Sequence, residues 1–145
     1  MTINILLFAV ALPALIMQGG FVRLLAPRLG EGLLATCGVF AYVTGLVLLG
    51  CGSALAATIS GLLLCGLGLG AYNPSASALA SKQSRGQDRG AVMGAYVASG
   101  SLARVLGPFS SGLLYASLGP AAPFLIGACV TLPAAYLVRR AASLS

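Results

Sequence analysis

Long apolar runs alternate with short polar segments along this chain of 145 residues. A helix that crosses a membrane needs about 20 mostly apolar residues, because the hydrocarbon core is about 30 Å thick and a helix rises about 1.5 Å per residue. Runs of that length predict five transmembrane helices, at about residues 3–20, 32–51, 55–79, 90–116 and 122–138. We therefore expect an all-α membrane protein with a single membrane domain over residues 1–145.

The boundaries between these helices follow from charge, glycine and proline. From Gly32 to Ser81 the chain carries no charged residue, which is too long for one span and fits two. The break is expected near Gly50–Ser53, because glycine weakens helix propensity. The polar stretch 81–90 and the uncharged turn sequence Leu118–Pro123 predict the next two loops.

Positive charges collect on one side of the membrane if five helices alternate in direction. Seven of the eight Lys and Arg residues then fall on the same side: Arg23, Arg28, Lys82, Arg85, Arg89, Arg139 and Arg140. By the positive-inside rule this predicts a plasma (inner) membrane protein with its N-terminus outside and its C-terminus in the cytoplasm. The odd number of spans and the abrupt apolar start indicate a chain that begins partway through a larger bundle.

Composition supports the membrane class and argues against several functions. The chain is 59% hydrophobic and only 7% charged, whereas soluble domains carry roughly 25% charged residues. It contains no His, the commonest metal ligand and general base, so we expect neither an enzyme nor a metal or cofactor site. The net charge of +6 is scattered between apolar runs, which excludes a nucleic-acid face. The four cysteines are interpreted as small hydrophobic helix residues.

Arg104 lies near the middle of the predicted span 90–116. A charge at the centre of a membrane helix costs about 2.5–3.5 kcal/mol on insertion scales. Each strongly apolar side chain of this helix favours membrane insertion by about 0.3–0.6 kcal/mol, so together they only roughly cancel that cost. We therefore expect this helix to be stable only inside a bundle or beside a water-filled cavity.

Two roles are open for Arg104. In the structural role, its guanidinium bonds helix carbonyls or extends to the interface. In the functional role, it attracts an anionic group of a substrate or pairs with an acid on another helix. No Asp or Glu lies within the five predicted spans, so a carboxylate partner must come from outside this polypeptide. Ser101 shares the small, polar face of the helix with Arg104, and Leu102 and Phe109 lie on the apolar face.

The third predicted span is rich in small residues. Gly66 and Gly70 form a GxxxG pair, which permits close approach of two helix backbones. Pro74 leaves the carbonyl of Gly70 without its helical hydrogen bond, and such broken backbone usually faces protein or water at membrane depth. Asn73 is therefore a candidate substrate contact, with generic helix packing as the alternative interpretation of this segment.

Gly107 and Pro108, with Gly112, predict a kinked, close-packed segment in the fourth span. The surrounding run GSLARVLGPFSSG, residues 100–112, resembles the eleventh helix of major facilitator superfamily transporters. It is similar to the antiporter motif G-x-x-x-G-P-x-x-G-G of drug:proton antiporters. Ala103 replaces the first glycine of that motif and Ser111 replaces one of the last two.

A second resemblance lies in the loop RLLAPRLGE, residues 23–31. It is similar to the weaker second copy of the family's cytoplasmic motif G-x-x-x-D-R-x-G-R, with Arg28 and Gly30 matching. Arg23, Pro27 and Glu31 depart from the motif and remove its charge relay. Tetracycline-resistance and tetran-like members look most similar, and the chain aligns with helices eight to twelve of a twelve-helix protein.

The resemblance implies a partial major-facilitator bundle, a C-terminal half that lacks its first helix. It implies transmembrane transport of a small solute or drug by a secondary transporter, in a partial copy that needs the missing N-terminal part. Its expected partners are the lipid bilayer, a small-molecule substrate and either that N-terminal half or a second copy. Arg104, Asn73 and Ser101 are the expected substrate-pathway residues. The alternative is a non-transporting helical scaffold or partner subunit that assembles through its glycine faces.

Overall fold

The computed structural model describes residues 30–83 and 88–142, which form α-helices and no β-strand. In chain order the four helices of this part are α1 Glu31–Cys51, α2 Leu55–Gln83, α3 Arg89–Leu118 and α4 Ala122–Ala142. The all-helical prediction is confirmed for these ranges. The first predicted span, residues 3–20, and the motif residue Arg28 lie outside the described residues.

The predicted breaks between helices fall close to where the structure has them. α1 ends at Cys51, where the N–H of Gly52 donates to the carbonyl of Leu48 at 2.9 Å. α3 ends before Gly119, which adopts a φ of +91° that a residue with a side chain rarely takes. The N–H of Gly119 donates to the carbonyl of Tyr115 at 3.1 Å, and this turn reverses the chain into α4.

Two helices continue further than the sequence predicts at their C-terminal ends. α2 continues to Gln83 instead of 79, and α4 continues to Ala142 instead of 138. Backbone hydrogen bonding does not stop where the apolar run stops, so both helices extend into polar sequence. Across the following loop, the guanidinium of Arg89 donates to the hydroxyl of Ser81 at 2.6 Å and joins the start of α3 to the end of α2.

Three of the described helices are long and apolar enough to cross a membrane, over Gly32–Cys51, Leu55–Lys82 and Ala122–Arg140. α3 forms a helix over the predicted span but is not among these three. The charge of Arg104 and the many glycine and serine residues around it lower its mean hydropathy. Of the five predicted spans, hydropathy therefore supports three within the described ranges.

The core lies where α1 packs between α2 and α4. Six buried side chains form it: Val39, Val43, Leu46, Cys65, Ala128 and Ala135. The thiol of Cys65 is free and donates to the carbonyl of Tyr42 at 3.8 Å, which agrees with its interpretation as a small core residue. α3 contributes no buried residue and lies along the edge of this three-helix core.

Hydroxyl groups within the helices are mostly bonded to their own backbone. In lipid there is no water to satisfy them, so a bond to the carbonyl four residues earlier is the simplest solution. The buried hydroxyl of Ser75 has no partner within the described part of the chain. The residues that make the four-residue bond include Thr36, Thr44, Ser60, Ser110, Ser117 and Thr131.

Glycines bring the backbones of α1 and α2 into direct contact. A Cβ added at Gly68 would lie 2.6 Å from the carbonyl oxygen of Gly38, and one added at Gly45 would lie 2.7 Å from that of Gly61. The glycines are seven residues apart in each helix, which places both pairs on one antiparallel seam. The predicted pair, Gly66 and Gly70, is buried, but this seam uses Gly61 and Gly68.

We expect Gly68→Ala to destabilise the bundle by about 1–3 kcal/mol, since the new methyl group would meet backbone atoms that have no rotamer to change. Thermal unfolding of the purified protein in detergent measures this loss. Gly94→Ala is the matched control, because a Cβ there meets nothing within 4 Å and alanine favours a helix. Equal stability of the two variants would contradict the seam.

Candidate functional site

A cavity of about 390 Å³ lies between α2 and α3. Ligand sites in proteins typically measure about 300–1,000 Å³, so this cavity is large enough for a small molecule. It sits beside Asn73 and Pro74 of α2, which the structure shows as one continuous helix rather than a broken one, and along the middle of α3. Its lining residues are Tyr72, Asn73, Tyr96, Val97, Ser99, Gly100, Ala103 and Arg104.

Arg104 is the one charged side chain in this lining. It lies about 21–23 Å along the helix axis from both ends of α3, given the rise of 1.5 Å per residue. The chain has only two acidic residues, Glu31 and Asp88, and Asp88 at the start of α3 is about 24 Å away along that axis. Among the described side chains, none forms an ion pair with Arg104.

Two tyrosines and one amide supply neutral polar groups around Arg104. Tyr72 and Tyr96 line the same cavity as Arg104. Asn73 is exposed into the cavity with both its amide donor and acceptor available for a solute. The cavity therefore combines a cation, phenolic hydroxyls and an amide, all groups that bind and orient a solute rather than cleave it.

The structure brings together two of the three predicted pathway residues. Asn73 and Arg104 line the same cavity, although they lie on different helices. Ser101 does not line it, and its hydroxyl donates to the carbonyl of Val97 at 3.0 Å on an exposed face of α3. Sharing a broad helix face with Arg104 was not sufficient to place Ser101 in the cavity, because its short side chain bonds back to its own helix.

Tyr72 and Tyr96 line the cavity but were not among the predicted pathway residues. The available signals were weak, since tyrosine is common in membrane helices and neither residue belongs to a motif. Tyr72 directly precedes Asn73 and Pro74, and Tyr96 lies about two helical turns before Arg104. Only the pairing of α2 with α3 brings them to one place.

The predicted packing motif has no close neighbour in the described part of the chain. A Cβ added at Gly107 or Gly112 would meet nothing within 4 Å, and Pro108 lies inside the continuous helix α3.

Gly30, which belongs to the predicted loop motif, has a clear local role. It precedes α1 with a φ of +80°, and its carbonyl accepts the N–H of Leu34 at 3.2 Å, so glycine suits this position.

A second, apolar cavity of about 110 Å³ lies among α1, α2 and α4. Tyr72 lines both cavities. The remaining lining residues of the apolar cavity are Val39, Tyr42, Gly68, Leu69, Thr131 and Ala134. In the described ranges, no group of His, Cys, Asp or Glu is arranged to hold a metal ion.

The family model of the Major Facilitator Superfamily matches residues 1–144. This chain belongs to the major facilitator superfamily. No curated protein and no solved structure matches it. Members of the superfamily are secondary transporters in membranes rather than enzymes, which agrees with a cavity that has binding groups and with apolar helices of membrane-spanning length. The resemblance noted in the sequence is confirmed at the level of the superfamily.

Because Tyr72 lines both cavities, we expect its ring to form a shared wall between them and Tyr72→Ala to connect them. In a cysteine-free background, Val39→Cys probes the apolar cavity, since Val39 is 3% exposed. We expect Val39→Cys to resist a water-soluble thiol reagent when Tyr72 is present and to react when Tyr72→Ala is added. Tyr72→Phe is the matched control and should leave Val39→Cys protected. Equal labelling in all three proteins would contradict the shared wall.

Proposed function

We propose that this chain carries part of the solute pathway of a secondary transporter for a small solute or drug, and that the cavity between α2 and α3 belongs to that pathway. The observation that carries the proposal is Arg104, a charged residue midway along a helix, in the lining of a ligand-sized cavity. Ionisable residues inside the membrane usually face a water-filled cavity or bundle interior and mark substrate pathways.

Asn73 supports the same assignment from the opposite helix. Pro74 lacks the N–H that would bond the carbonyl of Gly70, so the backbone of α2 carries a free acceptor at membrane depth. Irregular backbone is tolerated there when it faces protein or lines a water-filled cavity. Arg104 and Asn73 are therefore the proposed substrate-pathway residues, and Gly107, Pro108 and Gly112 are proposed to pack against helices outside the described part.

We propose one membrane domain over residues 1–145 with five spans, in which residues 3–20 and α3 cross the membrane together with α1, α2 and α4. The positive charges at Lys82, Arg89 and Arg139 lie at the ends of α2, α3 and α4 that would share the cytoplasmic side. This gives a plasma-membrane protein with an outer N-terminus and an inner C-terminus.

Single cysteines in a cysteine-free background test this topology. We expect an impermeant maleimide added to intact cells to label Ser53→Cys and Pro120→Cys, which lie in the two short turns without charge. Asp88→Cys should react only after the cells are permeabilised, because it lies in the positively charged loop. Labelling of Pro120→Cys only after permeabilisation would mean that α3 does not cross the membrane.

A working transporter needs a complementary set of helices. Major-facilitator transporters bind substrate near the membrane midplane between two repeats and rock the repeats about that site. We propose that the other side of the site is supplied by further helices of a longer protein or by a second copy. For a drug:proton antiporter, those helices would also supply the proton-binding carboxylate, since neither acidic residue of this chain falls within a predicted span.

Access of water to the cavity tests the pathway without knowledge of the substrate. In membranes that contain the cysteine-free protein, we expect Ser99→Cys and Asn73→Cys to react with small water-soluble methanethiosulfonates. Leu113→Cys, on the apolar face of α3, is the control and should react at least tenfold more slowly, since thiolates form poorly in lipid. Equally slow reaction at all three sites would overturn the proposal and favour a non-transporting helical scaffold.

A further inference from the structure

We infer that the cavity between α2 and α3 takes a small monovalent organic anion, held by Arg104, the one cation among the lining residues that the structure describes. The inference rests on the proposed function, because it specifies the solute class of that same cavity. The three observations that carry it are the charge balance of the lining, the size and chemistry of its walls, and the depth of Arg104.

The charge balance favours an anion. Arg104 is the only charged residue in the lining, and the chain's two acids, Glu31 and Asp88, both lie at helix starts. A guanidinium without an acidic neighbour attracts a negative group, and a cationic solute would be repelled. A guanidinium also presents paired N–H donors that match a carboxylate or sulfonate.

The single positive charge of Arg104 also favours a solute with one negative group over a solute with two. One guanidinium neutralises one negative group, and a second negative group in the same cavity would be left desolvated without a counterion. Tyr72, Tyr96 and Asn73 supply hydrogen bonds but no further positive charge. The cavity should therefore discriminate against a dianion of similar shape.

The walls fit an apolar body attached to that charge. Val97 and Ala103 contribute apolar side chains to the lining, and Tyr72 and Tyr96 contribute aromatic rings. Aromatic rings pack favourably against flat apolar groups. With a volume of about 390 Å³, the cavity is near the lower end of ligand-site sizes and suits a single-ring compound.

The depth of Arg104 favours a solute from water over a lipid headgroup. α3 has 30 residues and is therefore about 45 Å long, so a centred α3 places Arg104 close to the midplane of the bilayer. Lipid headgroups begin about 15 Å from that plane, beyond the reach of one side chain. An anion that meets Arg104 must then enter through the cavity.

Protection of Ser99→Cys from a methanethiosulfonate measures occupancy of the cavity with defined probes. The probes are benzenesulfonate, benzenedisulfonate and trimethylphenylammonium, applied to the cysteine-free protein in phosphatidylcholine vesicles. We expect benzenesulfonate to slow the reaction at the lowest concentration, benzenedisulfonate to need more, and the cation to have no effect. Arg104→Gln should raise the half-protecting concentration of benzenesulfonate by roughly ten- to hundredfold, and Arg104→Lys should retain protection.

Arg139→Gln is the matched control, because it removes one exposed cation outside the cavity and should leave protection unchanged. Reaction of Ser99→Cys with no preference between anion and cation would overturn the inference while the proposed pathway stands. No reaction at Ser99→Cys would overturn the pathway itself. Protection by phosphatidylglycerol vesicles without added probe would identify a lipid headgroup as the ligand and would also overturn the inference.

Discussion

The bundle depends on direct contact between the backbones of α1 and α2. Lipid supplies no hydrophobic driving force between helices, so association depends on close packing and on interhelical polar contacts. Gly38 faces Gly68, and Gly45 faces Gly61, with no side chain between the two backbones. This seam forms part of the rigid core, on which α4 packs through Ala128 and Ala135. Gly68 of this seam also lines the apolar cavity, and Tyr72 lies about one helical turn further along α2.

α3 differs from the three helices that form the core. It buries none of its residues, yet among the charged residues that the structure describes it carries the one that lies far from every helix end. Burying Arg104 in the core would cost several kcal/mol without a paired acid, so the charge is compatible with the fold at the edge, beside a cavity. The charge that lowers the hydropathy of α3 is also the feature on which the proposed solute pathway rests.

Much of the fold could be read from the sequence, because a membrane imposes simple rules of length and polarity. The loop at 52–54 and the turn at Gly119 fall where glycine and proline predicted breaks. The cavity was only half predictable. Arg104 and Asn73 are conspicuous because they are polar residues in an apolar segment. Tyr72 and Tyr96 come to line the cavity only because α2 packs beside α3. The seam was missed because a four-residue glycine spacing was more conspicuous than the seven-residue spacing that packs.

α3 is connected to a neighbouring helix at each end, and it buries no side chain in the described part of the chain. A turn of three residues after Leu118 ties one end to α4, and the bond from Arg89 to Ser81 ties the other end to α2. In the described part of the chain, the core contacts of α1, α2 and α4 therefore do not involve the middle of α3. A change in the distance between α2 and α3 beside Arg104 would leave these core contacts in place.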